Sequence, residues 1–139
     1  MKHEISAGGI VYKKENDLLW LICQHSQHKG WVFPKGLVGD TKYDEPLEDA
    51  ALREVSEEGG VTATIITPLL KPVEYFYKWE GQTIKKTVYY FLMEYISGDP
   101  KNHDHEMMDA KLVTESEVKK TLTYDTDRKA FDEALRLFK

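Results

Sequence analysis

The chain has a single cysteine, Cys23, in 139 residues, which excludes an internal disulfide framework. Its apolar setting, LLWLIC, reads as a buried thiol in the core rather than a nucleophile. No apolar run approaches the roughly 20 residues of a membrane span. The start, MKHEISAGG, lacks the apolar region and cleavage pattern of an export signal. Positive charge is also short: 19 Lys and Arg face 24 Asp and Glu, for a net charge of −5. With no basic run dense enough to track a nucleic-acid backbone, stable DNA binding is not expected. A polyphosphate ligand remains open, because a divalent cation can mediate the encounter. Repeats and low-complexity segments are absent. The 41% hydrophobic and 31% charged content is that of an ordinary globular domain, so one cytoplasmic domain over residues 1–139 is expected.

Residues 4–13, EISAGGIVYK, read as a strand in which Gly8-Gly9 marks a bulge or a close backbone approach. LLWLICQH, 18–25, is a continuous apolar run suited to a buried strand. After a polar loop, SQHKG, comes WVFPKG, a short extended piece ended by Pro34 and Gly36. A helix is expected to begin near Asp44-Glu45-Pro46, an acidic cap followed by proline at the first helical position. It should end at Gly59-Gly60, with Leu47, Ala51 and Val55 as its apolar stripe. Residues 61–78 read as extended with a kink at Pro72, EGQ at 80–82 as a turn, and TVYYFLMEYI, 87–96, as the second arm of a hairpin. SGDPKNHDHE is a loop. AKLV is a short strand, Thr114 and Glu117 form a capping-box pattern, and a second amphipathic helix runs from about Asp125. This order implies an α+β, α/β/α sandwich around a mixed sheet.

The most informative stretch is GLVGDTKYDEPLEDAALREVSEEGGV, residues 36–61. On a helix Glu54, Glu57 and Glu58 stand at i, i+3 and i+4 and share one face. Carboxylates crowded at a helix C-terminus repel one another and are disfavoured by the backbone dipole. A hard divalent cation with oxygen ligands, Mg²⁺ or Mn²⁺, resolves that conflict; the bland alternative is a solvated acidic surface. The spacing Gly39, Glu45, Arg53-Glu54-Val55, Glu57-Glu58, Gly60-Val61 resembles the Nudix box, G-x5-E-x7-R-E-U-x-E-E-x-G-U with U aliphatic, at every defined position. A chance match is on the order of 10⁻⁸, which removes coincidence.

The resemblance implies a loop–helix–loop metal-binding motif within the sandwich, and hydrolysis of a nucleoside diphosphate linked to another group. It implies Glu54, Glu57 and Glu58 as metal-binding carboxylates, Arg53 and Glu45 as the pair that braces the loop, and Gly60 as structural support. In relatives carrying "PKG" the glycine of that tripeptide opens the box, whereas here Gly36 precedes Gly39 by three residues. Which of the two contacts the metal stays open.

Outside the box, SAGGIV, WVFPKG, VEYFYKW, KKTVYYFLMEY and HDHEMMDAKLVTESEV occur in an order similar to the asymmetrical diadenosine polyphosphate hydrolases of this superfamily. Such enzymes cut dinucleoside tetra- to hexaphosphates and leave ATP as one product. The residue chemistry agrees, because a dinucleotide offers π-faces and a long polyanion. Lys35 and Lys86 are candidates for phosphate contact and Tyr77 for base stacking, with Tyr90 facing the same cleft. Tyr75 and Tyr89 are expected in the core or in hairpin pairing, and alternation puts Tyr89 and Tyr90 on opposite faces. Lys85 reads as a solvated hairpin charge. Glu106 is a candidate metal ligand or general base, in competition with a box glutamate. His103 and His105 have a ligand spacing but no third soft partner, and read as solvated. Rival activities are RNA 5′-pyrophosphohydrolase, diphosphoinositol polyphosphate hydrolase and a non-catalytic nucleotide sensor; monomer and dimer are both open.

Overall fold

The computed structural model describes residues 1–39 and 44–139; residues 40–43, most of the spacer between Gly39 and Glu45 in the box pattern, lie outside it. Among the described residues eight strands form one mixed sheet. They are β1 (Lys2–Lys14), β2 (Leu18–His25), β3 (Trp31–Val32), β4 (Lys35–Leu37), β5 (Val61–Pro68), β6 (Val73–Trp79), β7 (Gln82–Gly98) and β8 (Met107–Thr114). The central path is β3-β2-β1-β7-β5, with β4 added to β1, β6 to β7 and β8 to β2. The β1–β7 pair is parallel and the others are antiparallel.

Helices cover both faces, which is why the central strands read as unbroken apolar runs. Alternation divides them. Ile10, Tyr12, Trp20, Ile22, Tyr90 and Leu92 meet α2 (Glu115–Thr121) and α3 (Asp125–Phe138) through Val118, Ala130, Phe131 and Ala134. Ala7, Val11, Leu21, Phe91 and Met93 meet α1 (Leu47–Gly59) through Ala50, Ala51 and Val55. The α/β/α sandwich expected from the sequence is therefore the observed architecture. No helix among the described residues is long and apolar enough to cross a membrane.

Several boundaries differ from the sequence reading. The extended piece does not stop at Gly36, because β4 pairs through Leu37 with Ser6. The hairpin arm is longer than 87–96, since β6 and β7 stay paired out to Trp79 and Gln82 across the Glu80-Gly81 turn. Strand β8 extends beyond AKLV on both sides. The Gly8-Gly9 pair marks a close approach: a Cβ on Gly8 would fall 2.3 Å from the Pro34 carbonyl oxygen, and one on Gly9 2.6 Å from Val55. The Thr114–Glu117 capping box is present.

Candidate active site

Helix α1 starts differently from the expected acidic cap. Pro46 is the N-cap and its ring offers no side-chain acceptor, while the Glu45 carboxylate is taken elsewhere. Arg53 Nε donates to Glu45 Oε2 at 2.8 Å and its NH2 to Oε1 at 2.9 Å, while Gly39 N–H reaches the same Oε1 at 3.2 Å. Such a two-point fork fixes orientation as well as distance. NH2 also donates to the Leu37 carbonyl at 3.2 Å, so Arg53 ties the loop, β4 and the helix together. The helix ends as expected, with Gly60 in the left-handed region at φ 73. Gly59 packs its last turn onto β2, where a Cβ would fall 2.6 Å from Leu21 Cδ2.

That close docking carries the acidic face inward. Glu54 and Glu58 are 6% and 5% exposed, whereas Glu57 is open to solvent. Arg53 NH1 donates to Glu54 at 3.1 Å and to Glu57 at 3.2 Å, and Glu58 accepts the Lys35 backbone N–H at 3.0 Å. Burial nonetheless pushes the Glu54 carboxyl up to about 7 and that of Glu58 up to about 8; desolvation outweighs the cationic help. With these side-chain positions no three His, Cys, Asp or Glu among the described residues close on one point, because Arg53 and β4 hold the carboxylates as stated. The donor set still fits a hard divalent cation: three carboxylates share one face, and two are buried without enough positive charge beside them. Gly36 lies against that set. A Cβ there would lie 2.0 Å from Glu54 Oε2, so only glycine lets the carboxylate press against β4. Gly39, at φ 83, is instead bound to Glu45 and is not part of the cleft lining.

A cleft of about 470 Å³ opens over Gly36, Glu54, Glu57 and Glu58, and Lys35, Lys86, Tyr75, Tyr77 and Glu106 line it too. Lys86 stands between Glu4 on β1 and Tyr75 on β6 in register. Burial first, then Lys35, lowers its pKa. The Tyr77 hydroxyl donates to Glu4, and that bond pushes the phenol up to about 12. Glu106 is exposed at the rim, on a pinned loop. Its carbonyl accepts from the Ser26 N–H at 3.0 Å and Oγ at 2.8 Å, and Asp104 N–H donates to the Glu57 carbonyl at 2.7 Å. His103 and His105 lie outside the cleft lining.

One tyrosine departs from its expected place and another does more than expected. Tyr90 is 2% exposed, packs beneath α3 and donates to Asp127 Oδ1 at 3.3 Å; it is a core residue, absent from the cleft wall. Tyr75 is in hairpin pairing opposite Lys86 and packs against the core, as expected, and it lines the cleft as well. Lys85 pairs with Glu74 at 2.8 Å, a hairpin surface contact.

The sequence reading passed over three rings. His25 and His28 stack with centroids 4.4 Å apart and planes 10° from parallel, and both line the cleft. Their Nδ1 atoms accept backbone N–H groups from Gln27 and Gly30 at 3.1 and 3.0 Å. Burial lowers both pKa values, so each neutral ring is left with Nε2–H as its donor. The Tyr124 hydroxyl lies 3.2 Å from His28 Nδ1. It lines a recess of about 440 Å³ that adjoins the cleft, sharing His28, Val32, Lys35 and Tyr75 with it and also lined by Asp127.

A family model described as the NUDIX domain matches residues 2–134. Among solved structures, a C. elegans Ap4A hydrolase in a binary complex is 27% identical, with 97% of this chain and 94% of that one covered at a TM-score of 0.72. The NUDIX domain of Shewanella oneidensis NrtR, complexed with ADP ribose, covers 100% of this chain and 90% of its own at a TM-score of 0.77; at 20% identity that likeness is one of fold alone. Among curated proteins, MutT4 of Mycobacterium tuberculosis, provisionally named a mutator protein, is 28% identical over 134 residues. The match takes 91% of this chain and 52% of MutT4, so the chain spans about half the length of this relative.

Proposed function

Because the chain belongs to the Nudix hydrolase family, we propose that it is a divalent-metal-dependent pyrophosphohydrolase of dinucleoside polyphosphates, cleaving diadenosine tetra- to hexaphosphate to ATP and a second nucleotide. One arrangement supports this reading above the rest. A carboxylate-lined cleft carrying Lys35 and Lys86 adjoins an aromatic recess, with His28, Val32, Lys35 and Tyr75 lining both, and a nucleoside polyphosphate has the same order of chemistries along it. The likeness to the C. elegans Ap4A hydrolase over nearly the whole of both chains adds to it. A cytoplasmic setting goes with such a substrate.

Glu54, Glu57 and Glu58, with the backbone at Gly36, would hold Mg²⁺ or Mn²⁺. When bound, such ions neutralise phosphate oxygens and lower the pKa of water. The chain's own residues supply the rest. Arg53 and Glu45 keep the carboxylates in place without touching substrate. Lys35 and Lys86 hold the phosphates that do not react, with the Nε2–H groups of His25 and His28 as neutral donors beside them. Glu106, exposed at the rim, would take the proton as water attacks one phosphorus; a bond forms from water oxygen to that phosphorus and the anhydride bond opposite breaks. Tyr75 and Tyr124 give a base two aromatic walls.

A substrate panel with product analysis tests the reading, from nucleoside triphosphates through diadenosine hexaphosphate to triphosphorylated and capped RNA, with magnesium or manganese added. The expected result is preferred cleavage of the dinucleotides with ATP released. Preference for RNA 5′ ends or for nucleoside triphosphates would replace it.

A further inference from the structure

Strand alternation carries the cleft face of β6 beyond the cleft. Tyr75, Tyr77 and Trp79 are successive alternate residues and point to the same side. The register sets them opposite Lys86, Ile84 and Gln82 on β7, with Lys2 of β1 beside Ile84. Tyr75 and Tyr77 are in the cleft lining, their ring centroids 6.5 Å apart. Trp79 continues the series and is 63% exposed. It sits at the hairpin tip, where Glu80 and Gly81 take φ of 50 and 75. A two-residue turn with both dihedrals positive matches the twist of the strands and keeps them paired to their last residue, so the indole is presented by a regular ladder.

The other two tryptophans are accounted for in the fold. Trp20 is fully buried against Phe131 and Phe138, and Trp31 lies under the Lys111 ammonium at 4.7 Å. At about 3.3 Å per residue, Trp79 stands roughly 13 Å beyond Tyr75. The opposite face of β6 carries Phe76, 60% exposed, next to the Lys85–Glu74 ion pair. One face of the hairpin thus prolongs the substrate cleft and the other is charged outer surface.

We propose that Trp79 is the stacking platform for the second nucleoside of a dinucleoside polyphosphate. The first base occupies the recess beside Tyr75 and Tyr124, the phosphates cross Lys35 and Lys86, and the far base lies on the exposed indole. Continuity with the cleft and the cations along it select this occupant. An open aromatic face accepts any base, so the far position tolerates base replacement and the recess does not. The inference rests on the dinucleotide reading given above.

The test compares diadenosine tetraphosphate with adenosine 5′-tetraphosphate, which lacks the far nucleoside. Trp79→Ala should raise KM for the dinucleotide roughly tenfold, leave kcat near its starting value, and leave KM for the single-base compound unmoved. Trp79→Phe should restore most of the loss. Phe76→Ala, on the opposite face, should change neither. Binding is read independently by quenching of Trp79 fluorescence with a methylene-bridged, non-hydrolysable diadenosine tetraphosphate, a signal that Trp79→Phe removes. Equal losses on both substrates, or no change on the dinucleotide, would overturn the platform. If the wild-type enzyme fails to cleave dinucleotides, the substrate reading falls. The fluorescence titration then decides separately whether Trp79 meets a far base.

Discussion

On the α1 side of the cleft, Glu45, Arg53, Glu54 and Glu57 are joined by side-chain hydrogen bonds of 2.8 to 3.4 Å. On the facing side, the neighbouring rings of Tyr75 and Tyr77 approach only to 6.5 Å, and no side-chain bond joins them. The first wall is a fixed charge assembly with two buried acids; the second is a set of aromatic faces open to a ligand. The difference separates tasks. Positioning of reacting atoms tolerates little displacement, so its residues are braced. Stacking on bases tolerates sliding, so its residues need only be presented.

The largest effect should follow from Glu57→Gln, which touches the braced wall without unfolding it. Glu57 is solvent-exposed, so thermal stability should stay within about 0.5 kcal/mol. Turnover should fall on the order of 10²–10³-fold. Near-normal turnover with magnesium saturating would remove Glu57 from the metal-binding set.

Arg53→Ala should damage the same wall by a different route. It removes the two Arg53 hydrogen bonds to Glu45, whose side chain is 7% exposed. Breaking a largely buried pair costs about 3 kcal/mol, or about 10 °C in melting temperature for a domain of this size. Turnover should fall as well, because Glu54 and Glu57 lose the NH1 contact that orients them. Arg53→Lys should recover little, since an ammonium cannot reproduce the fork. Full recovery by lysine would mean that charge alone, not geometry, holds the box.

On the aromatic wall the prediction is a split between binding and rate. Tyr75→Ala should raise KM about tenfold with kcat little changed. Tyr90→Phe should leave KM alone and reduce stability by about 1 kcal/mol, the worth of its buried bond to Asp127. If Tyr90→Phe moved KM and Tyr75→Ala did not, the assignment of Tyr75 to the cleft and Tyr90 to the core would be reversed.

The contrast between the walls also explains what could be read from the chain alone. The carboxylate face of α1 and the glycine cap at its end are set by spacings of a few residues, and both were legible. The N-terminus of the same helix was not. Glu45-Pro46 has the local signature of a cap, but Arg53, eight residues on, competes for the carboxylate and wins it with two hydrogen bonds. Alternation correctly put Tyr89 and Tyr90 on opposite faces. Which face is sealed depends on α3, more than 30 residues downstream, so the core residue and the cleft residue could not be told apart. His25 ends β2 and His28 sits in the polar loop after it, and neither setting gives a sign that their rings stack. Tyr124 meets His28 from 96 positions away. Local geometry wrote the braced wall, whereas tertiary folding assembled the open one.

The smallest predicted effect sharpens the comparison, because the aromatic wall has one buried acid of its own. Asp127 is 4% exposed and accepts the Tyr90 hydroxyl, and among the described residues no guanidinium fork surrounds it. Burial raises its pKa, opposed by Lys35, by Tyr90 and by Arg128; its place in the first turn of α3 is a further source of help to the anion. A carboxyl whose folded pKa lies above its unfolded value favours folding while protonated. That contribution is complete below the unfolded pKa of about 4 and is lost as pH rises to the folded pKa, above which it stays lost. Asp127→Asn keeps an acceptor for Tyr90 and cannot ionise. Its denaturant midpoint should therefore match wild type below about pH 4 and exceed it modestly at pH 7 and above, by less than the Arg53→Ala loss. A midpoint for Asp127→Asn below wild type at pH 7 would mean that the helix terminus and Lys35 stabilise the anion by more than burial costs it, and the two walls would then share one electrostatic design.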